Sequence, residues 1–480
     1  KHGHQLIDWM ADYMDTVEKL PVRSQVKPGE ISNRLKAKPP TNGEPMENII
    51  DDFKTTILPG MTHWQHPRFF AYFPANSSPP SVLAEMLTAT LGAQCMLWQT
   101  SPAATEMETR MMQWLASMID LPKKFSGVIQ DSASSATLCA LLTAREKATS
   151  WKTNELGFMT TAKKLIVYTS EEAHSSTEKG AKIAGFGKDN IRFIPTDYKF
   201  SMCANTLRKE IQSDLDKGFV PTCVVASIGT TGVGAVDPIK KIATLCKEFD
   251  IFLHIDAAWA GAAMILPEHR SMADGIELAD SIVINPHKWL LTNFDCSAHF
   301  VKDPTALTST LSILPEYLKS KESEDIIDYR DWSIPLGRRF RALKLWFVIR
   351  YYGVGGLQKM IRKHIEFASQ VEEWINDSKI FELVAPRSLS LLNFRFLPKQ
   401  SGKVLDIDKL NLKLLNDLND SGTTYFTQNR VRGHFAIRWS IGQTNTELRH
   451  VKDAWAQIQQ TASSITCLLY TSDAADELLG

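Results

Sequence analysis

Much that could organise a chain of 480 residues is scarce or missing here. Cysteine occurs only seven times (Cys95, Cys139, Cys203, Cys223, Cys246, Cys296 and Cys467), an odd count without C-x-x-C spacing, which argues against a disulfide framework and a zinc site. No metal is expected. No apolar run reaches the roughly 20 residues a membrane-crossing helix needs, and the first residues lack the basic-then-apolar pattern of a secretory signal. A soluble cytoplasmic protein is the expectation. Net charge is absent too: 54 Lys and Arg offset 54 Asp and Glu, so nucleic acid and membrane surfaces are not expected partners. Internal repeats and low-complexity tracts are also missing.

What is present is an ordinary globular composition, 44% hydrophobic and 22% charged. The chain is too long for one core, since single cores stop growing near roughly 250–300 residues. One large domain with smaller additions is expected. Lys1 opens inside an amphipathic helical pattern (Leu6, Ile7, Met10, Met14), so a preceding start is expected. The stretch CLLYTSDAADELLG (467–480) breaks from the helix before it and reads as a non-native tail.

Residues 1–78 alternate helical patterns with a Pro- and Lys-containing linker and end in HWQHPRFFAYFP, whose prolines forbid a core helix. Residues 79–343 alternate helical segments with short β-branched runs: KLIVY (164–168), IRFIP (191–195), CVVASIG (223–229), IFLHID (251–256) and SIVIN (281–285). Strands alternating with helices indicate a mainly parallel sheet, and such sheets bind ligands at the carboxyl ends of their strands. An amphipathic helix near Arg341–Tyr352 leads into a small α+β portion, 344–466, with strands near 389–396 and 435–441.

Four features fall at strand ends. Lys288 follows SIVIN in NPHKWLL. Asp256 ends IFLHID, 288 − 256 = 32 residues earlier, about one strand-helix-strand unit. His174 follows KLIVY, and the small-residue turn QDSASSAT (130–137) opens a helix. Singly, each has a bland reading: a solvated lysine, a capping aspartate, a loop histidine, an N-cap. Together they supply the parts of one pyridoxal-phosphate site. The cofactor needs a lysine amine for its Schiff base, a carboxylate on its pyridine nitrogen, a flat group over the ring and backbone N–H groups at a helix N-terminus for its phosphate. Lys288, Asp256, His174 and the turn Ser132, Ala133, Ser134 match these needs in that order.

The stretches HIDAAWAG, NPHKWLLTNFDCS, AHSSTEKG, DYRDWSIPLGRRFRALKLWF and THWQHPRFFAYFP carry a resemblance to the aromatic L-amino acid decarboxylases of the group II pyridoxal-dependent decarboxylases. It runs from about Gln5 to about Gln459. It implies an α/β chain of pyridoxal-phosphate fold type I: a mainly parallel seven-stranded sheet flanked by helices, an N-terminal helical dimerisation segment and a small C-terminal α+β domain. The resemblance makes Lys288 the Schiff-base lysine, Asp256 the pyridinium partner and His174 the stacking residue. Ala258 would pack on the opposite ring face. Ser132, Ala133, Ser134, Thr230 and Asn285 would hold the phosphate, with His287 beside it. Tyr317 in LPEYLK matches the tyrosine of a mobile loop (312–330) that reprotonates the substrate carbon from the neighbouring subunit of a homodimer.

For the substrate, the likeness makes Trp64, Tyr72, Phe73 and Pro74 an aromatic wall and places Gln94 and Met96 where the other subunit contributes. Gly337 stands where glycine leaves room for an indole. Asp131, Ser135, Ala75 and Gln94 depart from the usual residues. The implied activity is decarboxylation of an aromatic L-amino acid (tryptophan, tyrosine, dopa or phenylalanine) to the amine. The alternatives are an aldehyde synthase, in which the tyrosine is commonly phenylalanine or the histidine asparagine, and an inactive homologue acting as a binding partner.

Overall fold

The computed structural model describes residues 1–158, 163–313, 326–398 and 405–477, with side chains to 467. Tyr317 lies outside the described residues. The chain forms two compact units, one of residues 75–363 and one combining 1–74 with 364–480.

Residues 75–363 are built on the strands β1 (Ser126–Gln130), β2 (Leu165–Ser170), β3 (Ile191–Ile194), β4 (Val220–Ser227), β5 (Phe252–Asp256), β6 (Ser281–Ile284) and β7 (Ser297–Val301). They form one seven-stranded sheet in the order β1-β7-β6-β5-β4-β2-β3. The β3-β2-β4-β5-β6 neighbours are parallel, while β7 runs antiparallel to both β6 and β1. All five apolar runs read as strands are strands. β2 and β5 are buried along their whole length, as a sheet covered by helices on both faces requires. β1 and β7 were not read from the sequence: SGVIQ opens on serine and glycine, and SAHFV carries histidine at its centre.

The helix beginning at Arg341 is interrupted at Gly353 (φ 64°, ψ 168°), immediately after the expected end at Tyr352. In the other unit, β8 (Phe381–Leu383), β9 (Leu391–Phe396), β10 (Thr427–Val431) and β11 (His434–Ser440) form an antiparallel sheet in the order β10-β11-β9-β8. Its core joins Phe70 to Phe394, Phe426 and Trp439. The last helix runs Leu448–Glu477, so the backbone does not break at Cys467 as the sequence suggested. Among the described residues no helix is long and apolar enough to cross a membrane, and no cluster could hold a metal.

The large unit buries an acid-sensitive set. His254 on β5 hydrogen-bonds Ser281 Oγ (2.7 Å) and Thr137 Oγ1 (3.2 Å). His299 on β7 has no hydrogen-bond partner for either ring nitrogen among the described residues. Burial drives His254 well below the ordinary imidazole value, and pushes both His287 and His299 down to about 3. A histidine with a depressed native pKa contributes fully above its unfolded value of about 6.5. Below that, stability falls by about 1.4 kcal/mol per pH unit per group until the native pKa is reached. Asp237, raised to about 6 by burial, acts in the opposite sense from there to its unfolded value and offsets one of the three. The melting temperature is therefore expected to fall steeply from pH 6.5 to 4.5; a flat profile would contradict this account.

Candidate active site

The parallel strands deliver the site at their carboxyl ends. β6 ends at Ile284, Asn285 is the N-cap, and Pro286, with its φ preset for a first helical position, starts the single turn Pro286–Trp289 that carries Lys288. The Lys288 N–H donates to Asn285 O at 2.9 Å, and the Asn285 side-chain oxygen accepts from Ser297 Oγ at 2.6 Å. A neighbouring loop clamps the turn. Asn76 donates its backbone N–H to His287 O (2.9 Å) and its amide N–H to Lys288 O (2.5 Å), and Ser78 Oγ donates to Leu291 O (2.7 Å).

Asp256 ends β5 and is registered against Ser227 of β4 and Val283 of β6. Its carboxylate accepts the Ala258 N–H at 3.0 Å and is only 9% exposed. His174 follows β2. Burial holds its imidazole below the ordinary value, Asp256 opposes this, and Lys288 reinforces it. Both charges act on the same ring.

The helix Ala133–Ala148 begins at an N-cap, Ser132, whose Oγ accepts from Ser135 N–H (3.2 Å) and donates to Asp131 (3.1 Å). The Asp131 carboxylate, a departure noted in the sequence, is thus engaged by the cap. The Ala133 and Ser134 N–H groups have no acceptor within the helix, and the helix dipole favours an anion there. A tight turn after β4 supplies the last wall: Thr230 N–H donates to Ala235 O (2.9 Å) and Thr230 Oγ1 accepts from Ala235 N–H (3.0 Å). Gly229 has φ +86°, and a Cβ there would lie 2.4 Å from that of Ala260, so only glycine fits.

Ser132, Ala133, Ser134, His174, Thr230, Asp256, Ala258, Asn285 and Lys288 line one cavity of about 180 Å³. These are nine of the ten residues expected on the cofactor side. The tenth, His287, does not line it: its ring packs on Phe294 (4.8 Å) and its Nδ1 accepts from Cys296 N–H (2.9 Å). Ser227, Gly229, Thr231 and Trp259 also line the cavity and were not singled out. The tryptophan of DAAWAG was the available signal; its indole N–H donates to Gly229 O at 2.7 Å.

The expected substrate residues divide between the units. In residues 1–74 with 364–480, Trp64 stacks on Tyr72 (5.6 Å, 12°), Arg438 donates to Tyr72 O, and Phe73 is buried against Gly442. Pro74 is buried. In residues 75–363, Gln94 Oε1 accepts the Arg338 N–H at 2.6 Å, and its amide nitrogen lies 3.3 Å from where a Gly337 Cβ would stand. Met96 O accepts the Arg330 N–H at 3.1 Å. A buried Arg338–Glu108 ion pair holds this segment.

The donor set fits pyridoxal phosphate: a buried carboxylate, a lysine, an imidazole and an unsatisfied helix N-terminus converge on one cavity. The comparisons agree. Residues 28–397 match the family described as the pyridoxal-dependent decarboxylase conserved domain, and the chain belongs to that family of pyridoxal-phosphate-dependent carboxy-lyases. It is 42% identical to tyrosine decarboxylase 2 of Narcissus pseudonarcissus (99% of this chain, 95% of the relative). It is also 42% identical to phenylacetaldehyde synthase of Arabidopsis thaliana (96% and 95%). The crystal structure of Catharanthus roseus tryptophan decarboxylase in complex with L-tryptophan superposes with a TM-score of 0.91 at 40% identity, covering 97% of this chain and 98% of that one. These relatives place the chain among aromatic amino acid decarboxylases and aldehyde synthases alike.

Proposed function

We propose that this enzyme decarboxylates an aromatic L-amino acid to its amine. The observation that carries the reading is the convergence of Lys288, Asp256 and His174 on the cavity capped by the Ala133 helix N-terminus. Bound pyridoxal phosphate supplies an electron sink for the pair left behind when carbon dioxide departs. Lys288 Nζ tethers the cofactor. The Asp256 carboxylate keeps a proton on the ring nitrogen, which makes the sink effective, and His174 and Ala258 cover the two ring faces. The Ala133 and Ser134 N–H groups, with Ser132, Thr230 and Asn285, hold the phosphate, with His287 beside it. Tyr317 delivers a proton to the substrate's Cα.

Trp64, Tyr72, Phe73 and Pro74 form the aromatic wall for the substrate, Gln94 and Met96 are contributed by a second subunit, and Gly337 leaves room for a bulky aromatic side chain such as an indole. The helix Pro79–Leu91 presents Leu83, Leu87 and Leu91 outward at 51%, 47% and 64% exposure, an apolar stripe that supports a homodimer.

Retention of both His174 and Tyr317 favours simple decarboxylation over the oxidative variant, which consumes oxygen and water and releases carbon dioxide, aldehyde, ammonia and hydrogen peroxide. Tryptophan, tyrosine, dopa and phenylalanine should be offered separately, with amine, aldehyde and peroxide quantified. Amine equal to substrate consumed, with no matching peroxide, is expected; stoichiometric peroxide and aldehyde would overturn the reading. Tyr317→Phe is expected to raise the aldehyde fraction.

A further inference from the structure

The His174 ring is held by one edge. Its Nδ1 lies 2.7 Å from Ser176 Oγ and 3.2 Å from Ser176 N. A main-chain N–H can only donate, so Nδ1 is its acceptor and carries no proton. The Ser176 hydroxyl then shares the same lone pair as a second donor. A neutral imidazole has one N–H, which falls on Nε2.

These contacts sit at the start of a helix. Ser176 is 5% exposed and is the first residue of the helix Ser176–Ile183, and the His174 carbonyl accepts the Thr177 N–H at 3.0 Å. His174 lines the cavity together with Asp256 and Lys288, and Nε2 is the ring nitrogen that Ser176 leaves unengaged. We propose that Ser176 is a positioning residue that fixes His174 as the Nε2–H tautomer, so that the ring offers the cavity a hydrogen-bond donor rather than an acceptor. The groups such a donor suits are anionic oxygens, namely the carboxylate of an amino-acid substrate or a ring oxygen of the cofactor. This rests on the reading of His174 as a cofactor-side residue and adds the proton inventory of that residue.

The test is ¹⁵N NMR of histidine-labelled cofactor-loaded protein, with the His174 signals assigned by their loss in His174→Gln. Wild-type protein is expected to show an unprotonated Nδ1 and a protonated Nε2. Ser176→Ala keeps the backbone donor and loses the hydroxyl. A hydroxyl can serve either tautomer, whereas the retained N–H can only donate, so the Nε2–H form should persist in this variant. Ser176→Thr retains both groups and should match the wild type. An Nδ1–H tautomer in the wild type, or in Ser176→Ala, would overturn the inference. The readout needs no turnover, so loss of the decarboxylase reading would leave the tautomer result standing, and an active decarboxylase with Nδ1–H would sink only the inference.

Discussion

Lys288→Ala is expected to give a folded protein that binds pyridoxal phosphate without a covalent link and turns over amino acid roughly 10⁴-fold more slowly, the order reached when a covalent-catalysis residue is removed. Folding should survive because the turn is held through its backbone: Asn76 and Ser78 donate to the carbonyls of His287, Lys288 and Leu291, and none of these bonds uses the lysine side chain. Lys288→Arg should be equally inactive. A guanidinium stays protonated and cannot serve as an amine nucleophile, although it keeps the positive charge. The measurement is the visible cofactor band with amine release under saturating cofactor. Activity within tenfold of wild type in either variant would remove Lys288 from the chemistry.

Asp256→Asn is the second large effect. The amide matches the carboxylate in shape, and its oxygen can still accept from Ala258 N–H, so the end of β5 should hold. What disappears is the negative charge. Loss of one well-placed electrostatic contact costs about 10²–10³ in turnover number, and this one is aimed at the electron sink. The loss should appear in kcat rather than KM, since substrate contacts are untouched. A second signature distinguishes it from local damage: Asp256 raises the His174 pKa, so its neutralisation should move the His174 protonation midpoint further toward acid. An unchanged kcat, or a midpoint shifted toward neutrality, would contradict the assignment.

The site was legible where a side chain ends a strand. Lys288, Asp256 and His174 each follow an apolar run, and a parallel sheet brings such positions together whatever the intervening helices contain. What escaped was the support, because it works through backbone groups. Asn76 acts on two carbonyls from a loop some 200 residues away in sequence, and the Gly229–Ala235 turn is defined by its own hydrogen bonds. His287 was set beside the phosphate by the resemblance alone; its ring packs on Phe294 and its Nδ1 accepts from Cys296 N–H. In the fold, β7 was hidden because its central His299 breaks the apolar pattern while the structure buries it completely. The helix from Arg341 to Tyr352 was legible from its amphipathic pattern, and Gly353 interrupts it there with a positive φ that other residues resist.

Borohydride reduction of the cofactor-loaded protein, followed by peptide mass mapping, tests the central claim most directly. The pyridoxyl mass should appear on the peptide containing Lys288 and on no other in stoichiometric amount. Its stoichiometric appearance on a different lysine, or its absence from a protein that releases amine, would contradict the assignment of this cavity as the catalytic site.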